Sequence, residues 1–211
     1  MEFTGISMTD TFISKVQKRI HMSLPGKAAQ ELMAPTVRFT GLKYPDPANS
    51  KRSGVLLLLY PDITGWSTVF IERTVYGPHG GQISLPGGKM EADDRDIQAT
   101  ALRETKEEIG VSPEQIEVLG ELTSLYVPNS NFLVSPFVGF INEVPEMVKD
   151  DKEVASIIKI DVRELFDAKN KGTKSFSRSG YDIQAPYYRA REYIIWGATA
   201  MIMSEFENLL K

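Results

Sequence analysis

The 211-residue sequence has no cysteine and only two histidines. Disulfides and thiol chemistry are thereby excluded, and a zinc site would have only His21, His79 and carboxylates to draw on. Nor is there an excess of positive charge. The net charge is -4 and the pI about 5.4, which argues against nucleic-acid binding, since that needs a basic face. No apolar run reaches spanning length; Val55 to Tyr60 is only as long as a buried strand. The N-terminus lacks a long apolar segment and a cleavage signal, so the expected address is cytoplasmic, with no membrane partner.

What remains is an ordinary soluble composition, 42% hydrophobic and 25% charged, at a length able to bury a core without metal or disulfide support. Residues 1–35 read as an N-terminal helical extension packed on the domain formed by 36–211. A helix is expected from Asp10 to His21, with Phe12, Ile13, Val16 and Ile20 as its apolar stripe. Leu24-Pro25-Gly26 breaks it, and a second short helix covers Lys27 to Met33 before Pro35. His21 has no metal-spaced partner and reads as a surface residue. A loop from Phe39 leads to a central strand, Gly54 to Tyr60, apolar on both faces. Trp66 to Arg73 is the next strand. Further strands are expected at Ile116–Leu125, Asn131–Ile141 and Ile157–Ile160. The polar, basic stretch Asp167–Ser179 reads as a mobile loop, with a lid that meets phosphates as the sharper alternative. Tyr193–Trp196 then leads into a closing helix, Ala198–Leu210.

The most informative stretch is Gln82 to Val111. Pro86-Gly87-Gly88 is a turn signal. Asp93 and Asp94 supply N-cap chemistry for a helix from about Asp94 to Ile109, and Gly110 stands at its left-handed terminus. Glu104, Glu107 and Glu108, at i, i+3 and i+4, crowd into one wedge of that helix. Arg103 can pair with Glu107 one turn away. By themselves three such glutamates are a solvated acidic face. A glycine turn held against the same helix changes this, because backbone oxygens and carboxylates together suit a hard divalent cation.

Gly88, Asp94, Arg103-Glu104, Glu107-Glu108 and Gly110-Val111 resemble the Nudix box, Gly-x5-Glu-x7-Arg-Glu-U-x-Glu-Glu-x-Gly-U, where U is aliphatic. Asp94 stands for the usual glutamate, eight residues rather than seven precede Arg103, and Thr105 takes an aliphatic position. The longer, aspartate-containing form is similar to that of the coenzyme A pyrophosphatase branch. Arg73, Gly81 and Pro86-Gly87-Gly88 also resemble that branch's upstream signature, although Val75 to Pro78 carries no second arginine. The Pro-Asn-Ser loop before Val134 and Trp196-Gly197-Ala198-Thr199 extend the likeness.

The resemblance implies an α/β fold, a Nudix-type α/β/α sandwich with a mixed sheet. It implies magnesium or manganese held by Glu104, Glu107, Glu108 and Gly88, with Glu107, Glu153 and Arg103 as catalytic residues. Glu153 is the general-base candidate. Arg73, Gly81, Gly87 and Lys89 would meet the substrate, and His79 is a weaker candidate in the same loop. The implied partner is a small-molecule nucleotide, with a homodimer left open. The implied reaction is hydrolysis of coenzyme A or acyl-coenzyme A at its pyrophosphate. ADP-ribose, NADH or a nucleoside triphosphate are alternative substrates, and a non-catalytic nucleotide-binding module is the alternative to an enzyme.

Overall fold

The computed structural model describes residues 8–37, 47–63, 65–75, 80–178 and 181–211. Helices α1 (Met8–Ile20) and α2 (Gly26–Glu31) precede strands β1 (Thr36–Val37), β2 (Lys51–Asp62), β3 (Gly65–Arg73), β4 (Ile83–Ser84) and β5 (Gly87–Lys89). After helix α3 (Ile97–Ile109) come β6 (Glu117–Glu121), β7 (Leu125–Val127), β8 (Phe132–Phe140) and β9 (Val154–Asp161). Helix α4 (Val162–Phe166), strands β10 (Lys171–Arg178), β11 (Tyr181–Ala190) and β12 (Tyr193–Trp196), and helix α5 (Ala198–Leu210) complete the chain.

The apolar run in β2 sits in the middle of an eight-stranded mixed sheet. It runs parallel to β8, Lys51 to Leu59 in register with Phe132 to Phe140, and antiparallel to β3 and β5. Both of its faces are covered, which explains why the run does not alternate with polar residues. Leu57 and Leu59 enter a core with Val16, Phe70, Tyr188 and Phe206. Leu56, Leu58 and Tyr60 enter a second core with Val69, Ala101 and Ile109. The sheet therefore separates α3 on one side from α1, α5 and a second, four-stranded sheet on the other. α1 is held there by its apolar stripe and by Phe12, stacked on Trp66 with ring centroids 5.7 Å apart.

Two expectations are corrected. The span Ile116–Leu125 is not one strand: β6 shifts register between Val118 and Gly120, and Thr123 leaves the ladder to donate its N–H and hydroxyl to Glu205. The basic stretch is not a mobile loop over its described residues, 167–178. After a short turn capped by Asp167, β10 pairs with β11 along its length. Lys171 is anchored by Glu207 at 2.6 Å, and its charge lies 5.5 Å from the Tyr188 ring centre. A lysine-rich polar strand fits the edge of a sheet, where side chains of this kind discourage pairing with other chains. Most of the segment read as a loop after Phe39 lies outside the described residues.

Candidate active site

The site is built on the turn before α3 and on the α3 flank that carries Glu104 and Glu108. Asp96, not Asp93 or Asp94, is the N-cap; its carboxylate accepts from the Ala99 N–H at 2.8 Å, and Gly110 closes the helix at φ 75°. Asp94 instead turns inward. It accepts from Arg103 Nε at 2.9 Å and Nη2 at 3.1 Å, from the Thr100 hydroxyl and from the Glu91 N–H. Those bonds, Arg103's first, hold the Asp94 carboxyl well below the usual carboxylate range. A depressed native value stabilises the fold above the unfolded carboxylate pKa of about 4, and that contribution fades as pH falls through the native value. Asp94→Asn should thus cost about 2 kcal/mol at pH 7, with the gap to wild type closing in urea titrations below about pH 4.

Arg103 is the hub of this corner. Besides Asp94 it reaches Glu107 at 2.8 Å, Glu104 at 3.1 Å and the Lys89 carbonyl at 3.2 Å. A guanidinium with several forked donors can serve these groups together, which a lysine could not.

Beside the hub, Glu104, Glu108 and Glu153 each bring a carboxylate oxygen within 4.8 Å of the others. Glu108 is 1% exposed. One of its oxygens accepts the Gly87 N–H at 2.8 Å and the other accepts Arg73 Nη1 at 3.0 Å. Burial nevertheless pushes it up to about 7, the Gly87 and Arg73 bonds only partly offsetting that cost, with Glu104 and Glu153 adding repulsion. Glu104 is raised as well, by burial before all else, with Arg103 opposing and Glu107 and Glu153 reinforcing. These carboxylates lack sufficient counter-charge, and a hard cation with oxygen ligands is the group that would supply it.

The glycine pair sets the distance. β5 pairs with β2 and presents Gly87 at φ 149°, a conformation side chains rarely adopt. A Cβ on Gly88 would fall 2.3 Å from the Glu104 carboxylate. Gly88→Ala should therefore displace Glu104, a flexible side chain, and lower turnover about 100-fold with little change in melting temperature. Steady-state kinetics beside a thermal melt would separate the two effects.

Glu153 comes from a distant segment that is tied to the helix end by backbone. The Val148 N–H donates to the Ile109 carbonyl at 3.0 Å, the Asp150 N–H donates to the Glu108 carbonyl at 3.1 Å, and Glu153 N–H donates to Asp150 O at 3.2 Å. Thr74 N–H then binds the Glu153 carbonyl at 2.9 Å, so the end of β3 and this turn move together. Arg73 Nη2 is 4.0 Å from Glu153.

Of the residues read from the sequence, the structure groups Glu104, Glu108, Glu153, Arg73, Gly87 and Gly88. Glu107 is 56% exposed and held by Arg103 at the rim. Gly81 donates its N–H to the Arg73 carbonyl at 2.9 Å. Lys89 contributes its carbonyl to Arg103 and its side chain is exposed. His79 lies outside the described residues. The partnership of Asp94 with Thr100 and the anchoring turn at Asp150 went unread; an aspartate nine residues before an arginine, with a threonine between on the same helix face, was the available signal.

A family model for the NUDIX domain matches residues 50–178. Among sequence relatives, the uncharacterized Nudix hydrolase NudL of Photorhabdus laumondii is 32% identical over 127 residues, covering 60% of this chain and 67% of the relative. The protein of that name from Yersinia pestis strain Pestoides F is 32% identical over 125 residues, covering 59% and 62%. The matches thus span about two thirds of these relatives' length. The fold is similar to the crystal structure of a MutT/nudix family protein from Enterococcus faecalis, with TM-score 0.51 and 18% identity over 82% of this chain and 66% of that one. With the matched region running from β2 to β10 and containing the glycine loop, α3 and Glu153, the chain belongs to the NUDIX family of hydrolases.

Proposed function

We propose that the protein hydrolyses the pyrophosphate linkage of coenzyme A or acyl-coenzyme A, releasing adenosine 3',5'-bisphosphate and (acyl-)4'-phosphopantetheine. The observation that carries a metal-dependent hydrolase is the meeting of Glu104, Glu108 and Glu153 within 4.8 Å, with Gly88 of strand β5 against Glu104 and Gly87 of that strand bonded to Glu108. Glu104, Glu107 and Glu108, with the Gly88 carbonyl, would hold magnesium or manganese. Such a cation, when bound, neutralises diphosphate charge and makes a water more acidic.

The chain's own residues would then act as follows. Arg103 fixes the orientation of Glu104 and of the exposed Glu107. Glu153, more exposed than Glu104 and Glu108 and with its ion pair to Arg73 only at 4.0 Å, accepts a proton from the attacking water at a carboxylate oxygen. Arg73 holds Glu108 in place and lies at the edge of the cluster where a phosphate oxygen would add a further acceptor. Gly87 lets β5 lie against Gly54 and Val55 of β2, and Gly88 leaves room for the Glu104 carboxylate beside it.

The coenzyme A assignment rests on the branch-like signature, including the aspartate whose role the Arg103 pair explains. The absence of a second arginine between Val75 and Pro78 supports the second reading, a Nudix pyrophosphatase acting on ADP-ribose, NADH or a nucleoside triphosphate. Mass spectrometry of products from the four substrate types, in parallel with magnesium, decides between them. Phosphopantetheine as the preferred product is expected; preference for another substrate would discard the coenzyme A assignment. Chelation with EDTA is expected to stop turnover and added magnesium or manganese to restore it, whichever substrate is cleaved.

A further inference from the structure

The second sheet turns one face to the core, burying Tyr188, Ala190 and Ile195. Its opposite face is one wall of a cleft of about 370 Å³, a volume suited to a small molecule, and Glu72 of β3 with the Gly81 turn forms the other wall. Glu72 and Arg73 are consecutive in β3, so they project to opposite faces of the strand. Arg73 reaches Glu108 in the carboxylate cluster, whereas Glu72 enters this cleft. The cleft therefore opens away from the cluster and is a site of its own.

Rings and carboxylates give this lining its character. Tyr187 of β11 and Trp196 of β12 are cross-strand partners, so their side chains stand together on the wall, and Tyr193 adds a third ring. Tyr187 is laid across β10 because its partner there is Gly172, where a Cβ would meet the tyrosine hydroxyl at 2.5 Å. Glu72 is half-buried and Glu192 exposed, and neither has an ion-pair partner among the described residues. Lys174 is the cation of the described lining. It pairs with Ala185, whereas Glu192 lies in the hairpin after Ala190, and those alanines are about 17 Å apart along an extended strand. Opposite charges thus occupy opposite ends of the wall, and the end beside Tyr193 is left negative. The attraction of these rings for cations is visible within the chain. Arg189 carries its guanidinium 5.8 Å from the Tyr187 ring centre and donates to that hydroxyl at 3.3 Å. Tyr187 lines the cleft and Arg189 does not, so the ring offers the cleft a further surface.

We propose that this cleft binds a small quaternary ammonium compound, a site that goes beyond the hydrolase reading and does not rest on it. The diffuse charge of such a cation is drawn to ring faces and to carboxylates together. It has no N–H to satisfy, while a primary ammonium would need acceptors for three donors at once. Its methyl groups match the apolar part of the lining, Ile83, Ala185 and Ile194. Glu72 and Glu192 disfavour an anion in the same space.

Choline is the probe, and its neutral isostere, in which a tert-butyl group replaces the trimethylammonium, is the control. The chain has two tryptophans, and Trp66 is 7% exposed in the core. In proton–nitrogen correlation spectra of the whole chain, the Trp196 indole N–H, assigned by its loss in Trp196→Phe, should shift saturably with choline while that of Trp66 stays in place. The neutral alcohol should bind at least about tenfold more weakly. Tyr187→Leu should weaken choline binding about tenfold and Glu72→Gln at least about fivefold, whereas Lys174→Met should tighten it. No saturation by about 50 mM choline, equal binding of the alcohol, or Tyr187→Leu and Glu72→Gln proteins that melt normally and bind within twofold of wild type would overturn the assignment. Loss of choline binding in excess magnesium would move the cation to the carboxylate cluster and overturn it as well. So would co-sedimentation with phosphatidylcholine vesicles in the absence of any response to free choline, which would make the partner a lipid surface.

Discussion

Glu104→Gln is expected to lower kcat about 1,000-fold, roughly 4 kcal/mol of barrier, while the protein stays folded. The side chain is 14% exposed, touches the Gly88 backbone and shares its corner with Glu108 and Glu153. Glutamine keeps its size and removes its charge. Since burial and the neighbouring Glu107 and Glu153 already disfavour that charge, its loss should leave stability unchanged or slightly higher. The combination of a large kinetic loss with a steady melting temperature marks a group placed for chemistry against local stability. Magnesium binding followed by calorimetry should weaken in step with kcat. A variant retaining a tenth of wild-type turnover would remove Glu104 from the metal set and end the reading of this corner as a cation site.

A second large effect is expected far from the cluster. Glu205 in α5 is 0% exposed. Its oxygens accept from the Gly26 N–H at 3.1 Å, Gln30 Nε2 at 2.8 Å, the Thr123 hydroxyl at 2.7 Å and the Thr123 N–H at 3.2 Å. These donors come from the start of α2, its body and the break between β6 and β7. Removing the carboxylate strands them without water. Glu205→Ala should cost about 4 kcal/mol, a drop of roughly 12 °C for a domain of this size. Glu205→Gln should fall between, because its amide places a donor against the Gln30 amide. Thermal unfolding by circular dichroism reads the shift; a change of under 3 °C would mean that α2 is not held through this carboxylate.

The legible parts of the fold were those whose signals are local. The apolar run of β2, the α3 periodicity with Gly110 at its end, and the α5 stripe each read in place, because burial on a helix face or in a central strand repeats within a few residues. Glu104, Glu107 and Glu108 were visible as one wedge for the same reason. What could not be read depended on distant partners. β10 is polar and gains its order from a ladder with β11 and from Glu207, 36 residues ahead of Lys171. The break at Thr123 is set by Glu205, 82 residues away. Asp94 looked like a cap because three aspartates lie within four positions, and only the reach of Arg103 separates their roles.

The turn that delivers Glu153 is fastened to the last carbonyls of α3 by the amides of Val148 and Asp150. Amides are common to almost every residue type, so side chains along 148–152 other than Lys149 and Asp150, which bond the turn's backbone, can change with little consequence for where the carboxylate arrives. Length is different. Deleting or adding one residue between Asp150 and Val154 would break either the tie to the helix or the pairing of Val154 with Arg73. The span from helix end to strand start is therefore a ruler, and insertions elsewhere in the chain's loops should be tolerated where one here is not.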